Sequence, residues 1–510
     1  MTEFVFLPDE GADAALALAA LGAVADMAPV MPPMLIEAAI SPMESDGNAA
    51  VVLERAPPAV RPRGRGKVTV LKVAPETGAA LVEAGGRATG KPREVPGGKL
   101  YKVVNYRMAV ADVRLGRSRL GASIGPLGAD FFMLRIRSSM DGNPIPGAVV
   151  TLRLKGSTTN INGVSDATGT VVLGVRAPAL REATLLIEPG FAGHWGFLSR
   201  KIDLTSGDSI DLDPIDLSTT PDSLRHLVKP GQPADGAGVV VAVIDSGVGP
   251  HPDLPTALGD PDTSIGHGTH VAGIIAGNGP GGLAGVAPAA AIRSYRVFDD
   301  EATGQARNFE VHQAIVRAAA DGCHLINLSL KSELEMDGTF DDPVISIAIE
   351  QASRAGALVV AAAGNDFRRF VAFPARHRDA VAVSAIGWEP GLPPNAYDRW
   401  TISTDRCQSD ETMFFATFSN EGVSGTGIAI TAPGTGIVST VPGNRYAPMS
   451  GTSMACPAAV GAIARLLSAN PHVRDMPADR TRRDAIWNLV LAHAREVGLG
   501  KQREGAGMLS

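Results

Sequence analysis

Apolar residues change their rhythm several times along the chain, and the changes divide it. From residue 235 onward, unbroken apolar runs stand at 239–244, 357–363 and 380–386. Such runs suit strands buried on both faces of a parallel sheet. Segments 309–320, 343–354, 454–469 and 480–497 separate or follow them with helical patterning, so this region reads as an α/β domain. Between 130 and 217 the texture is different: short alternating apolar runs are punctuated by Gly, Asn, Asp and Pro, the pattern of an antiparallel β-sandwich. Nearer the N-terminus we read strands at 3–7, 68–73 and 99–104, an Ala-rich helix at 15–25 and a helix at 76–84, a small α+β region within 1–129. Two connectors lack any apolar period: 55–67, rich in Pro, Gly and Arg, and 218–234, with Pro221, Pro230 and Pro233.

Composition narrows the function. The 510 residues are 45% hydrophobic and 19% charged, enough apolar material for sizeable cores. A net charge of −7 argues against nucleic acid, because phosphate binding needs a basic footprint; the arginines of 55–67 then read as a solvated connector. No run reaches 18 uncharged apolar residues, so we expect no membrane span. Three cysteines, Cys323, Cys407 and Cys456, are too few for a disulfide framework and fit a reducing compartment. The apolar stretch 15–25 has the length of a signal-peptide core, yet Glu3, Asp9, Glu10 and Asp13 precede it and the first basic residue is Arg55. Export signals open with positive charge. The expectation is therefore a cytoplasmic protein, with secretion as the alternative.

Four short motifs in the α/β region carry candidate chemistry. Asp245-Ser246-Gly247 follows the first buried run, at the strand end where open α/β sheets place their sites. His267-Gly-Thr-His-Val-Ala-Gly273 opens a helix. Its histidines stand three apart, and Gly268 occupies the place where a zinc protease needs its glutamate, so the motif is not read as a metal site. Gly277, Gly279 and Gly282 spell a dinucleotide fingerprint in letters, but they follow a helix and include Pro280, the wrong context. Gly451-Thr-Ser-Met-Ala-Cys-Pro457 puts Ser453 at a helix N-terminus, and Ala363-Gly364-Asn365 ends a buried strand. Each alone reads as a turn or a cap. Together they supply a nucleophile, an imidazole to take its proton, a carboxylate to hold the imidazole, and an amide to donate to an oxyanion.

With these motifs in the order Asp, His, Ser, residues 235–510 resemble the subtilisin family of serine proteases. Gly285-Val-Ala-Pro288, Ile326-Asn-Leu-Ser-Leu330, Val359-Val-Ala-Ala-Ala-Gly-Asn365, Ala432-Pro-Gly434, Pro442-Gly-Asn-Arg-Tyr446 and the closing Gly505-Ala-Gly-Met-Leu-Ser510 extend the likeness. The resemblance implies a parallel sheet flanked by helices, a serine endopeptidase acting on peptides or proteins through an acyl-enzyme, and no required cofactor. It makes Asp245, His267 and Ser453 catalytic, Asn365 the oxyanion donor and His270 structural. Ser329, Leu330, Lys331, Ala363 and Gly364 become the substrate-binding set, the first three as a strand against which an extended peptide pairs. Asp253 matches a calcium ligand of many relatives, with 278–283 completing that site, although few carboxylates stand there.

Some features depart from the family. Lys331 replaces the usual Gly beside the pocket for the residue preceding the cut, and a cation there would favour an acidic or polar residue. Cys456 is expected in the core. Residues 387–415 form an insertion holding Trp388, Tyr397, Trp400 and Cys407, which reads as a cap on the cleft, a contact with another domain or a surface decoration. Within 130–217, the run from Gly142 and the run from Gly163 resemble carboxypeptidase-regulatory-like and pilin-B-type modules, which implies an interaction module without chemistry. Residues 1–106 would be either a cleaved inhibitory prodomain or a permanent regulatory domain, and this region or the β-sandwich would contact any protein partner. The alternative from another class is a catalytically silent peptide-binding protein with the same fold.

Overall fold

The computed structural model describes residues 2–9, 69–74, 77, 79–84, 91–95, 98–110, 131–218, 221–255, 257–262, 265–279, 283–298, 304–333, 341–423 and 427–510. They divide into two compact units, Met1–Val103 and Val104–Ser510.

In the first unit, five antiparallel strands run in the order Thr69–Val73, Ala80–Ala84, Thr2–Pro8, Gly98–Lys102, Arg93–Val95. Alternation along Thr2–Pro8 sends Phe4 and Phe6 to one face and Val5 and Leu7 to the other, and all four are buried. Phe4 and Phe6 meet Ala80, Val82 and Leu100 in one core. The helix expected at 76–84 is a strand instead: Ala80–Ala84 pairs along Thr2–Pro8 with Val82 opposite Phe4. Its Ala, Leu and Glu favour a helix locally, but a central position in the sheet buries Leu81 and Val82 on opposite faces, and that packing overrides propensity. All described elements of this unit are strands; the helix expected at 15–25 and the connector 55–67 lie outside the described residues.

In the second unit, residues 132–212 build two sheets. One has three strands, Thr170–Leu173, Phe132–Ser138 and Ser209–Leu212 in that order. The other has four, Phe197–Thr205, Ala179–Glu188, Val149–Arg153 and Asn160–Val164. Phe132, Leu134 and Ile136, at alternate positions of one strand, meet Val150, Leu152, Leu185 and Ile187 of the other sheet in a shared core. The segment expected as a plain connector at 218–234 contains a short helix, Ser223–Leu227. Its cap Asp222 is fully buried, accepts from the Arg225 and Val438 backbone N–H groups and pairs with the Arg225 guanidinium.

The remaining chain forms a predominantly parallel sheet whose successive strands are Ala257–Gly259, Ala291–Arg296, Val240–Asp245, Leu325–Leu328, Leu358–Ala362 and Ala380–Trp388, with Ile430–Pro433 and Asp410–Phe415 pairing along the last. Along Val240–Asp245, Val241 and Val243 enter one core while Ala242 and Ile244 enter the other. Both faces being covered by helices is why the strand reads as one apolar run. Helices His267–Ala276 and Thr452–Ser468 pack on the first face, and Asn308–Ala320 and Pro343–Arg354 on the second. Among the described residues no helix is long and apolar enough to cross a membrane.

The insertion 387–415 folds as two short 3-10 turns and a hairpin and docks on the neighbouring two-sheet region. The Tyr397 N–H donates to the Gly196 carbonyl at 2.7 Å and the Leu198 N–H to the Asn395 carbonyl at 3.1 Å. Trp195 is buried with Leu392, Phe414 and Val438.

Candidate active site

Asp245 ends its strand and His267 begins its helix, and the two meet: Asp245 Oδ1 lies 2.7 Å from His267 Nδ1, both side chains buried. The approach is close because Gly268 has no side chain. A Cβ there would fall 2.1 Å from the Gly247 carbonyl oxygen and 3.1 Å from Asp245 Cβ. His267 Nε2, on the other side of the ring, is buried and has no hydrogen-bond partner. One turn on, His270 Nε2 lies 3.0 Å from the carbonyl oxygens of both Ile437 and Ala447. Burial and the nearby His267 push its pKa down to about 3, so it is a neutral structural donor, as expected.

Ser453 sits in the first turn of Thr452–Ser468, fully buried. Its Oγ donates to the Ser329 carbonyl at 3.0 Å, and the Ser329 hydroxyl donates back to the Ser453 carbonyl at 2.9 Å. Asn365 follows the strand end through Gly364, whose φ of 103° favours glycine. The Thr452 N–H and hydroxyl both donate to Asn365 Oδ1, at 3.0 and 2.8 Å. With the amide oxygen so held, the Nδ2 end is turned the other way, onto a carbonyl oxygen. That oxygen belongs to Ala109, and the Ser453 N–H donates to it as well, at 3.2 Å.

Ala109 closes a stretch of the chain laid through this cleft. Asn105–Met108 is the middle strand of three, antiparallel to Gln305–Arg307 on one side and to Leu330–Ser332 on the other. Arg107 stands opposite Lys331 and Gln305, and Met108 opposite Leu330. The Ala109 N–H donates to the Ser329 carbonyl at 3.1 Å. Residues 329–331, expected to pair with an extended peptide, thus pair with the chain's own residues 107–109. Ala363 is buried beneath the site, and the Gly364 N–H donates to the Thr452 hydroxyl.

Lys331 does not present a free cation to this cleft. Its ammonium is ion-paired with Asp366, and its side chain is buried. Burial raises the Asp366 pKa, but Lys331, Asn420 and Arg107 outweigh that and hold the carboxyl below its usual range. The expected preference for an acidic or polar residue rested on an unmatched lysine charge, and that charge is matched by Asp366; the residue whose carbonyl faces Asn365 Nδ2 and the Ser453 N–H is an alanine. Cys456 lies in the core, its thiol 3.3 Å from the Val360 carbonyl. Burial raises its pKa.

For calcium the residues fit poorly. Asp253 is buried, its Oδ2 accepts from the Tyr446 hydroxyl at 2.6 Å, and its carbonyl accepts from the Asn278 N–H. Among the described residues no group of three acidic, His or Cys side chains could hold a metal, and residues 280–282 lie outside them.

Sequence reasoning missed residues 105–109, which carry no motif and look like the end of one strand, and Asp366, which follows Asn365 without any pattern of its own. No sequence signal marks residues 105–109, because their strand partners, Gln305–Arg307 and Leu330–Ser332, lie about 200 positions away.

A parallel sheet with this Asp–His pair, a helix-borne serine and an amide beside it defines the class as subtilisin-like serine hydrolases. The model of the subtilase family, peptidase S8, matches residues 236–507, and the chain belongs to that family. Over 245 residues, 46% of this chain, it is 36% identical to the thermostable alkaline protease of Halalkalibacterium halodurans, covering 58% of that protein, and to subtilisin BL of Lederbergia lenta, covering 78%. It is 34% identical over 297 residues to alkaline elastase YaB of a Bacillus species, covering 54% of this chain and 70% of the elastase. The matched part thus spans between about half and four fifths of these relatives.

Proposed function

We propose that the protein is a serine endopeptidase and that the first bond it cuts is its own Ala109–Val110. The observation that carries this reading is the Ala109 carbonyl oxygen, which accepts from both Asn365 Nδ2 and the Ser453 N–H while residues 105–108 are paired on both edges. A carbonyl in that cradle is polarised for attack, and the same donors meet the charge that develops on it. Ser453 Oγ leaves the Ser329 carbonyl, passes its proton to His267 Nε2 and bonds to the Ala109 carbonyl carbon. Asp245 fixes the ring with Nδ1 protonated and stabilises the imidazolium. The tetrahedral adduct collapses as His267 gives the proton to the Val110 nitrogen and the C–N bond breaks. Water, deprotonated by His267, then hydrolyses the acyl-enzyme and returns Ser453. No cofactor enters these steps, and Asp253 has no part in them.

On this reading residues 1–109 are a segment removed by the enzyme, while residues 130–217 form a β-sandwich module that stays with it. The docking of Trp195 and of residues 196–198 on the insertion supports a lasting attachment, and any protein partner would meet this module. Three buried free cysteines support a cytoplasmic location.

Intact-mass analysis of the wild type and Ser453→Ala, each with and without a fluorophosphonate probe, tests the reading. We expect the wild type alone to yield a fragment beginning at Val110 and a probe adduct. A wild type that stays whole and unlabelled would overturn self-cleavage, and deletion of residues 1–234 would then separate an enzyme held inactive by its own N-terminal half, which labels once freed, from a silent peptide-binding protein, which does not.

A further inference from the structure

The chain in the cleft also shows what kind of residue the cleft was built to hold. Tyr106, four residues before the Ala109–Val110 bond counting Ala109 as the first, has a completely buried side chain and belongs to the same apolar core as Val311, Leu330, Ile345 and Phe373. An apolar pocket of that make would take a phenylalanine equally well. The floor, however, is polar. The Tyr106 hydroxyl donates to Asp342 Oδ2 at 3.1 Å, and Asn308 Nδ2 donates to the same oxygen at 3.1 Å. Asp342 and Asn308 are themselves fully buried. The other oxygen of Asp342 caps the helix Pro343–Arg354, accepting from the Val344 N–H at 3.0 Å. Asp342 is thus fixed in place by its helix, with one oxygen aimed into the pocket.

We infer that this cleft selects peptides with a tyrosine four residues before the cut, and that Asp342, seconded by Asn308, is the specificity-determining residue through its bond to the phenol hydroxyl. The inference rests on the endopeptidase reading above and adds to it the class of substrate. The physical ground is an asymmetry. A hydrophobic pocket discriminates weakly between similar side chains, whereas a buried polar group that loses its partner rejects the analogue strongly. Phenylalanine would fill the same volume yet take a donor away from a buried carboxylate.

The self-processed enzyme, its active sites counted by fluorophosphonate adduct, is assayed on two peptides: Val-Asn-Tyr-Arg-Met-Ala-Val-Ala-Asp, which copies residues 104–112, and the same peptide with Phe for Tyr. We expect kcat/KM for the Tyr peptide to exceed that for the Phe peptide about tenfold or more, with cleavage after Ala in both. A ratio below threefold, with both peptides cut, overturns the inference and leaves the endopeptidase reading standing. Absence of both cleavage and adduct overturns that reading and the inference with it. Asp342→Ser, which keeps a capping hydroxyl, should bring the ratio near one with the Phe peptide still cut. A labelled Asp342→Ser enzyme that retained the full preference would refute the role of the carboxylate.

Discussion

Asn365 offers the sharpest test of the proposed chemistry, because one of its two amide atoms can be changed without moving the other. Its Oδ1 is held by two donors from Thr452 and its Nδ2 faces the Ala109 carbonyl. In Asn365→Asp the shape and the Thr452 contacts persist, while the donor facing the carbonyl becomes a carboxylate oxygen. Losing such a donor costs about 10²–10³ in turnover, or about 2.7–4 kcal/mol, a magnitude measured in this family. The aspartate adds repulsion. Two unit charges about 3 Å apart at an effective dielectric of about 20 repel by roughly 5 kcal/mol, and each 1.36 kcal/mol is a factor of about ten in rate. Asn365→Ala loses the donor alone. We therefore expect self-cleavage at Ala109–Val110 to fall about 10²–10³-fold in the alanine variant and at least tenfold further in the aspartate variant. The assay is the rate at which the fragment beginning at Val110 accumulates by intact mass, with thermal unfolding confirming that both variants fold. An aspartate variant as fast as the alanine variant would refute the electrostatic argument, and either variant at wild-type speed would refute the assignment of Asn365.

Three further outcomes are expected. Gly268→Ala places a Cβ 2.1 Å from the Gly247 oxygen, so strand end and helix must part by about 1 Å; a shift of that size costs about 10² in rate, and an unchanged rate of self-cleavage would show that the close approach is not needed. His270 and His312, whose pKa values burial pushes down to about 3 and about 4, stay neutral in the fold while the unfolded chain takes up protons near pH 6.5. Their contribution is full above that value and is lost as pH falls toward 4, by about 2 kcal/mol each at pH 5. Asp342 and Asp398, raised to about 6 by burial, act in the opposite sense and offset part of this; urea midpoints at pH 7 and pH 5 should show a net loss, and a higher midpoint at pH 5 would contradict the balance. Trp195→Ala empties a site between the two-sheet region and the insertion, where truncating a buried tryptophan costs about 3–5 kcal/mol; the unfolding temperature should drop while probe labelling of Ser453 persists, and loss of labelling in a folded variant would tie the module to the active site.

What the sequence by itself determined about this protein is whatever leaves a mark along the chain. Strands covered on both faces must be apolar at every position, so Val240–Asp245, Leu358–Ala362 and Ala380–Trp388 were legible as buried parallel strands. Helix 343–354 was legible from its helical patterning, and in the fold Asp342 caps it with Pro343 in its first turn. The glycines around Asp245, His267 and Asn365 were legible because backbones that close tolerate no side chain. Tertiary structure alone decided the rest. Residues 80–84 carry helix-forming side chains, and only a central place between two strands makes them extended. Lys331 looked like a free charge until Asp366, remote by 35 positions, was found against it. Tyr106 and Asp342 are 236 positions apart, and residues 105–108 find their place only because Gln305–Arg307 and Leu330–Ser332 leave a gap one strand wide. Local periodicity and steric need are properties of neighbours in sequence, whereas an open strand edge and a buried partner are properties of neighbours in space.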